Sequence, residues 1–124
     1  MTDLLYKDEA FRIIGLCMEV HRNLGRGFDE VVYKDALQYE FAQAGIAFER
    51  EGRFDIKYKG ITLNHPYFAD FVAFGKIILE AKAVQALAPG HIKQTMNYLA
   101  ASGLKLGLLV NFGEDSLAYK RIVL

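Results

Sequence analysis

Asp70, Glu80 and Lys82 fall within one stretch, YFADFVAFGKIILEAKA (residues 67–83), that is otherwise rich in Phe, Val, Ile and Leu. Two carboxylates and an ammonium inside a hairpin apolar enough to be buried need a reason, because ionised groups are costly to take out of water without compensation. Strand side chains alternate, so Glu80 and Lys82 project from one face with Cα atoms about 6.6 Å apart. Asp70 sits on the preceding strand, antiparallel to theirs across a Gly turn, and the register decides whether it stands beside Glu80. A hard divalent cation such as Mg²⁺ or Mn²⁺ would account for the set, since it takes oxygen ligands and binds through one or two carboxylates plus substrate phosphate oxygens. The main-chain carbonyl of Ala81 offers a further oxygen. Lys82 near such an ion would assist an attacking water or neutralise charge building on a phosphoryl group. The alternative is structural: a salt bridge from Lys82 to one of the acids, or an ion network of all three.

Other residues bear on the choice. In GFDEVVY, Gly27, Glu30 and Tyr33 are spaced by three, which puts Glu30 and Tyr33 near one face at the start of a helix. A first-turn acid that favours the helix dipole is the simpler role for Glu30. Gln94 and Tyr98 are four apart and stack on one helix face, where an amide and a phenol could orient a phosphate, a water or Lys82. His21, near the end of the first helix, is placed to cap its carbonyls when protonated. With His65 and His91 it lacks the paired spacing of a zinc site. No phosphate-cradling Gly-rich loop and no G-x-S-x-G elbow occurs. Arg50, Arg53, Lys57 and Lys59 cluster on what reads as the first hairpin, and Lys93, Lys105, Lys120 and Arg121 recur later. Flanking a carboxylate cleft they would grip a phosphate backbone; as an edge-strand face they would simply be solvated.

The elements that must position these side chains follow from periodicity. From Leu4 to Leu24, Ala10, Ile13, Ile14, Cys17 and Val20 or Leu24 form a helical stripe, and Gly25 ends it. A second helix begins near Phe28 or Asp29 and runs through EVVYKDALQYEFAQA to Gly45, antiparallel to the first across the short GRG link. The period then changes to that of strands: FDIKY, a KG turn, ITL, then YFADFVAF and KIILEAKAV separated by Gly75. The last two are apolar on both faces, which predicts a sheet covered on each side. Pro89 and Gly90 open a third helix, HIKQTMNYLAAS, with Ile92, Met96 and Leu99 as its core face. LKLGLLVNF reads as a buried strand and YKRIVL as a partly exposed last one. The whole is a mixed α/β layer sandwich.

At 124 residues and 52% hydrophobic the chain suits one core, a single domain over 1–124. Its 24% charged residues sum to zero net charge, so any pull toward nucleic acid must be local. The single cysteine, Cys17, excludes an internal disulfide and lies in an apolar helical stretch. The opening MTDLLYKDEAFR lacks the apolar core of a signal peptide, and no apolar run approaches the ~18 residues of a membrane span. A soluble, cytoplasmic protein is expected.

GFDEVVY, followed in order by YFADFVAFGKIILEAKA, HIKQTMNYL and LGLLVNFG…YKRIVL, resembles the GxxExxY protein family, a compact branch of the PD-(D/E)xK nuclease superfamily; the likeness extends to the early MEVHRNLGRGF. It implies a restriction-endonuclease-like αβββαβ core, a mixed central sheet flanked by helices. It also implies Asp70 and Glu80 as metal ligands and Lys82 as the catalytic lysine. Glu30 is then the helix carboxylate that joins the metal site, and Gln94 and Tyr98 are the Q-x-x-x-Y pair of the RecB-like members. Ala69 stands where the superfamily label has Pro, and Arg26 where a Pro is frequent in the family's GPGF. The leading expectation is a Mg²⁺- or Mn²⁺-dependent nuclease acting on nucleic acid. The rival is a non-catalytic nuclease-fold module, monomer or homodimer, that binds nucleic acid or a protein partner.

Overall fold

The computed structural model describes residues 4–124; the first three residues of the charged N-terminal stretch lie outside that range. Helix α1 (Lys7–Leu24) buries Ala10, Ile13, Ile14, Cys17 and Val20, the stripe its spacing predicts. Asp29 holds an extended backbone at the cap of α2 (Glu30–Gln43), which buries Tyr33, Leu37 and Phe41 at every fourth residue. Arg12 near the start of α1 donates to the Ala44 carbonyl at the end of α2 (3.4 Å), as antiparallel neighbours require. The link between them is pinned by Tyr33: its hydroxyl donates to the Gly25 carbonyl (2.6 Å) and accepts the Phe28 N–H (3.3 Å). Gly25 and Gly27 in this link take φ of 66° and 115°, which suits residues without a Cβ.

A five-stranded sheet follows, built from β1 (Phe48–Phe54), β4 (Tyr67–Ala73), β5 (Ile77–Lys82), β6 (Leu106–Asn111) and β7 (Ala118–Val123) in that order. Its β1–β4, β4–β5 and β6–β7 pairs are antiparallel. The β5–β6 pair is parallel and crosses over through α3 (Pro89–Ser102). FDIKY does not form the first strand expected of it. Its Phe54 ends β1, whose body is FEREGRF, and Lys57–Tyr58 (β2) pairs instead with Ile61–Thr62 (β3) in a separate two-stranded ribbon. Asp55 interrupts the run, and FEREGRF, with charges at Glu49, Arg50, Glu51 and Arg53, suits an edge strand whose outer face is wet.

Two apolar layers sandwich the sheet. On one face α1 and α2 cover Phe71, Ala73, Ile77, Leu79, Ala81, Leu106, Leu108 and Val110. On the other, Tyr98 and Leu99 of α3 cover Ala69, Val72, Ile78, Leu109 and Ile122. Met96 is not part of that face: it is 37% exposed, and Thr95, Tyr98 and Leu99 are buried in its place. The helix is rotated from the expected stripe because it lies close on β6, where a Cβ on Gly107 would meet Thr95 Cγ2 at 2.7 Å. No helix among the described residues is long and apolar enough to cross a membrane.

Candidate active site

The ladder between β4 and β5 runs through Ala73↔Ile77, Val72↔Ile78 and Phe71↔Leu79 and then stops. Continuing that register sets Asp70 opposite Glu80, and there the side chains replace the ladder. The Asp70 N–H donates to Glu80 Oε2 (2.6 Å), and the Ala81 N–H donates to Asp70 Oδ2 (2.8 Å). Each carboxylate therefore takes a backbone donor of the other's strand, so the two acids converge where the strands part. Glu80 is only 2% exposed.

Burial first, and then the charge of Asp70, push the Glu80 carboxyl up to about 8; the Asp70 N–H, Lys82 and Lys34 work in the opposite direction. Burial and the same two acids push the Tyr98 hydroxyl up to about 12, so it stays a hydrogen-bond donor at neutral pH. A buried carboxyl at Glu80 whose ionised form is this strongly disfavoured, with the Asp70 oxygens beside it, suits a hard cation, which would compensate its charge.

Lys82 leaves the end of β5 on the α3 side and donates to Gln94 Oε1 (3.0 Å). Tyr98, one turn further along α3, is buried edge-on against Tyr67 with centroids 5.5 Å apart. Asp70, Glu80, Lys82, Gln94 and Tyr98 thus gather where β4, β5 and α3 meet. Glu30 opens α2, partly buried. Among the described residues no three His, Cys, Asp or Glu side chains gather closely enough to hold a metal ion, so Glu30 is not drawn into the Asp70–Glu80 pair.

Two residues that sequence reasoning passed over are there instead. Lys34, one turn after Glu30 on the same face of α2, reaches Asp70 Oδ1 (3.1 Å) and Glu51 Oε1 (2.7 Å). Burial disfavours its ammonium, yet the bonds to Glu51 and Asp70 outweigh that and hold its pKa above the ordinary lysine value. Glu51 lies on β1 between the pairs Arg50↔Phe71 and Gly52↔Ala69, opposite Asp70, with a left-handed backbone (φ 55°).

Asn111 is the third omission. Fully buried, it accepts the Val84 and Gly113 N–H groups at Oδ1 (3.0 Å each) and donates through Nδ2 to the Val84 carbonyl (2.9 Å) and Glu114 (2.8 Å). It thereby clamps the loop that follows Lys82 to the end of β6. An amide in the otherwise apolar strand LGLLVN was the signal for it. His21 caps no helix end: its Nε2 donates to the Glu114 carbonyl (2.8 Å) in the same loop cluster. A cleft of about 460 Å³ opens beside this clamp, lined by Arg26, Gly27, Phe28, Asp29, Val84 and Gly113 among others.

The basic residues divide. Arg50 is committed to Asp35 (2.7 Å) and Gln38 (2.8 Å) of α2, Arg53 to Asp55 (3.1 Å) and Arg121 to the Leu5 carbonyl (2.5 Å). Lys93, Lys105 and Lys120 are exposed.

Residues 7–122 match the family model of the PD-(D/E)XK nuclease superfamily. No curated protein matches the chain. Among solved structures, the crystal structure of SSO0001 is similar with a TM-score of 0.60 at 20% identity, over 76% of this chain and 50% of that one. The chain thus spans half the length of that protein. An alkaline exonuclease (LHK-Exo) from Laribacter hongkongensis is similar with a TM-score of 0.55 at 14% identity, over 99% of this chain and 72% of that one. At these identities the likeness bears on fold, which is restriction-endonuclease-like: a five-stranded mixed sheet flanked by helices.

Proposed function

The chain belongs to the PD-(D/E)XK nuclease superfamily, and from that premise we propose that it is a divalent-metal-dependent nuclease that hydrolyses phosphodiester bonds of nucleic acid. The observation that carries the proposal is the mutual grip of Asp70 and Glu80 at the point where β4 and β5 separate, with Lys82 two residues beyond. A Mg²⁺ or Mn²⁺ ion held here would supply Lewis-acid polarisation of the phosphoryl oxygen and an activated water. Asp70 and Glu80 are the ligands in this proposal, joined by the Ala81 carbonyl. Lys82, steadied by Gln94, neutralises charge that builds on the phosphoryl group. Tyr98, kept protonated, offers a hydrogen-bond donor on the same side. Glu30 has a supporting place at the start of α2. Membership of the GxxExxY branch, a single domain over 1–124, and a cytoplasmic setting belong to the same proposal.

The test is cleavage of single- and double-stranded DNA and RNA with Mg²⁺ or Mn²⁺, comparing the wild type with Glu80→Ala and Lys82→Ala. Both variants are expected to lose at least about a hundredfold in rate, the scale on which one charge-stabilising group acts. Equal cleavage by wild type and variants would remove the proposal.

One observation favours the rival, a nuclease-fold module that binds nucleic acid or a protein, as monomer or homodimer, without chemistry. Lys34 already balances Asp70 from within the protein. A module of that kind binds nucleic acid equally well in EDTA and in Mn²⁺, and light scattering reads its oligomeric state.

A further inference from the structure

Three carboxylates stand in a row across adjacent strands, Glu51 on β1, Asp70 on β4 and Glu80 on β5, each opposite the next by register. The Lys34 ammonium sits between the first two. Its side chain is 15% exposed and that of Asp70 13%, whereas that of Glu51 is 50% exposed. The inner partner of Lys34 is therefore enclosed and the outer one is open to water.

We infer that Lys34 is the internal counter-cation of the Asp70–Glu80 site and competes with a divalent metal ion for Asp70, yielding by withdrawing to Glu51. The inference rests on the metal-site proposal above. An ammonium 3.1 Å from Asp70 Oδ1 neutralises the oxygen that an ion would use, and it repels a doubly charged ion placed beside that oxygen. Two cations that compete for one carboxylate oppose each other by the same factor in either direction. Lys34 already has a second seat, since Glu51 Oε1 is the nearer of its two acceptors at 2.7 Å. Withdrawal needs only that the Asp70 bond lengthen while the Glu51 bond holds. The left-handed backbone at Glu51 lies within this row, between ladder pairs that keep the regular register on each side. Lys34 is thus a positioning residue: it keeps two acids together in the absence of metal and sets how tightly metal binds.

Isothermal titration of the metal-free protein with Mn²⁺ alone tests the inference, with folding of every variant checked by circular dichroism. Lys34→Met is expected to bind Mn²⁺ at least about fivefold more tightly than wild type, the low end of ordinary coupling between sites, and to melt at a lower temperature in EDTA. Lys34→Arg, which keeps the charge, is expected to stay near wild type. Glu51→Gln is expected to weaken Mn²⁺ binding, and to weaken it less in the Lys34→Met background, because the ammonium it receives is then gone. Unchanged or weaker Mn²⁺ binding by Lys34→Met overturns the inference while leaving the metal site intact. Undiminished binding by Asp70→Asn overturns the metal site itself.

Discussion

Glu80 carries the sharpest consequence of burying two acids together. Its carboxyl is raised from 4.5 to about 8 by burial and by Asp70. Between those two values the folded protein holds a proton that the unfolded chain has released, so the native state binds more protons than the unfolded one. The stabilisation from this group is therefore complete below about pH 4.5 and is lost as pH rises through about 8. Urea unfolding in EDTA across that window is expected to show stability falling with pH, and Glu80→Gln to flatten the fall. A wild-type profile that rises with pH across the same range would contradict the burial argument. Asp70, Glu80 and Lys82 were legible in the sequence because a period of two assigns strand faces, and charges in an apolar strand stand out. Lys34 and Glu51 were not. A lysine on a helix and a glutamate in FEREGRF both read as solvated, and only the approach of α2 to the middle of β1 brings them to Asp70.

At the scale of elements, the link between α1 and α2 is held by a side chain rather than by the link itself. Tyr33 is fully buried, stacks on Phe112 with centroids 4.7 Å apart and satisfies both Gly25 and Phe28 through its hydroxyl. The final Tyr of GFDEVVY is thus a latch for the loop that begins α2 and lines the 460 Å³ cleft. Tyr33→Phe keeps the stacking and removes both bonds. It is expected to cost about 1–2 kcal/mol, the net worth of two hydrogen bonds with partners left in need. Equilibrium urea unfolding would show this as a lower midpoint at unchanged slope, and no shift would deny the latch. The helices and the inner strands were legible because each has a long apolar period. The first strand was not, since FEREGRF has little apolar content and pairs through its backbone as a sheet edge. The face of α3 was misassigned at Met96 because Ile92, Met96 and Leu99 satisfy the helical period as well as Thr95, Tyr98 and Leu99 do. The close approach at Gly107 settles the rotation, and that is a tertiary contact.

For the whole molecule, the layered sheet explains why the two acids meet at all. Antiparallel β4–β5 pairing fixes Asp70 opposite Glu80, and the parallel crossover through α3 brings Gln94 and Tyr98 over the same strands. The Asn111 clamp then fixes the loop that leaves the site. A zero net charge over the chain gives no general attraction for a polyanion. On the proposed function, nucleic-acid binding would then rest on local charge and on a divalent ion held by Asp70 and Glu80. The most direct measurement is a crystal of the protein soaked in Mn²⁺ and examined for anomalous scattering. One peak between the Asp70 and Glu80 carboxylates, within about 2.5 Å of an oxygen from each, is expected. A structure at saturating Mn²⁺ with no peak there, and Lys34 still bonded to Asp70, would contradict the central claim that this buried pair exists to hold a divalent ion.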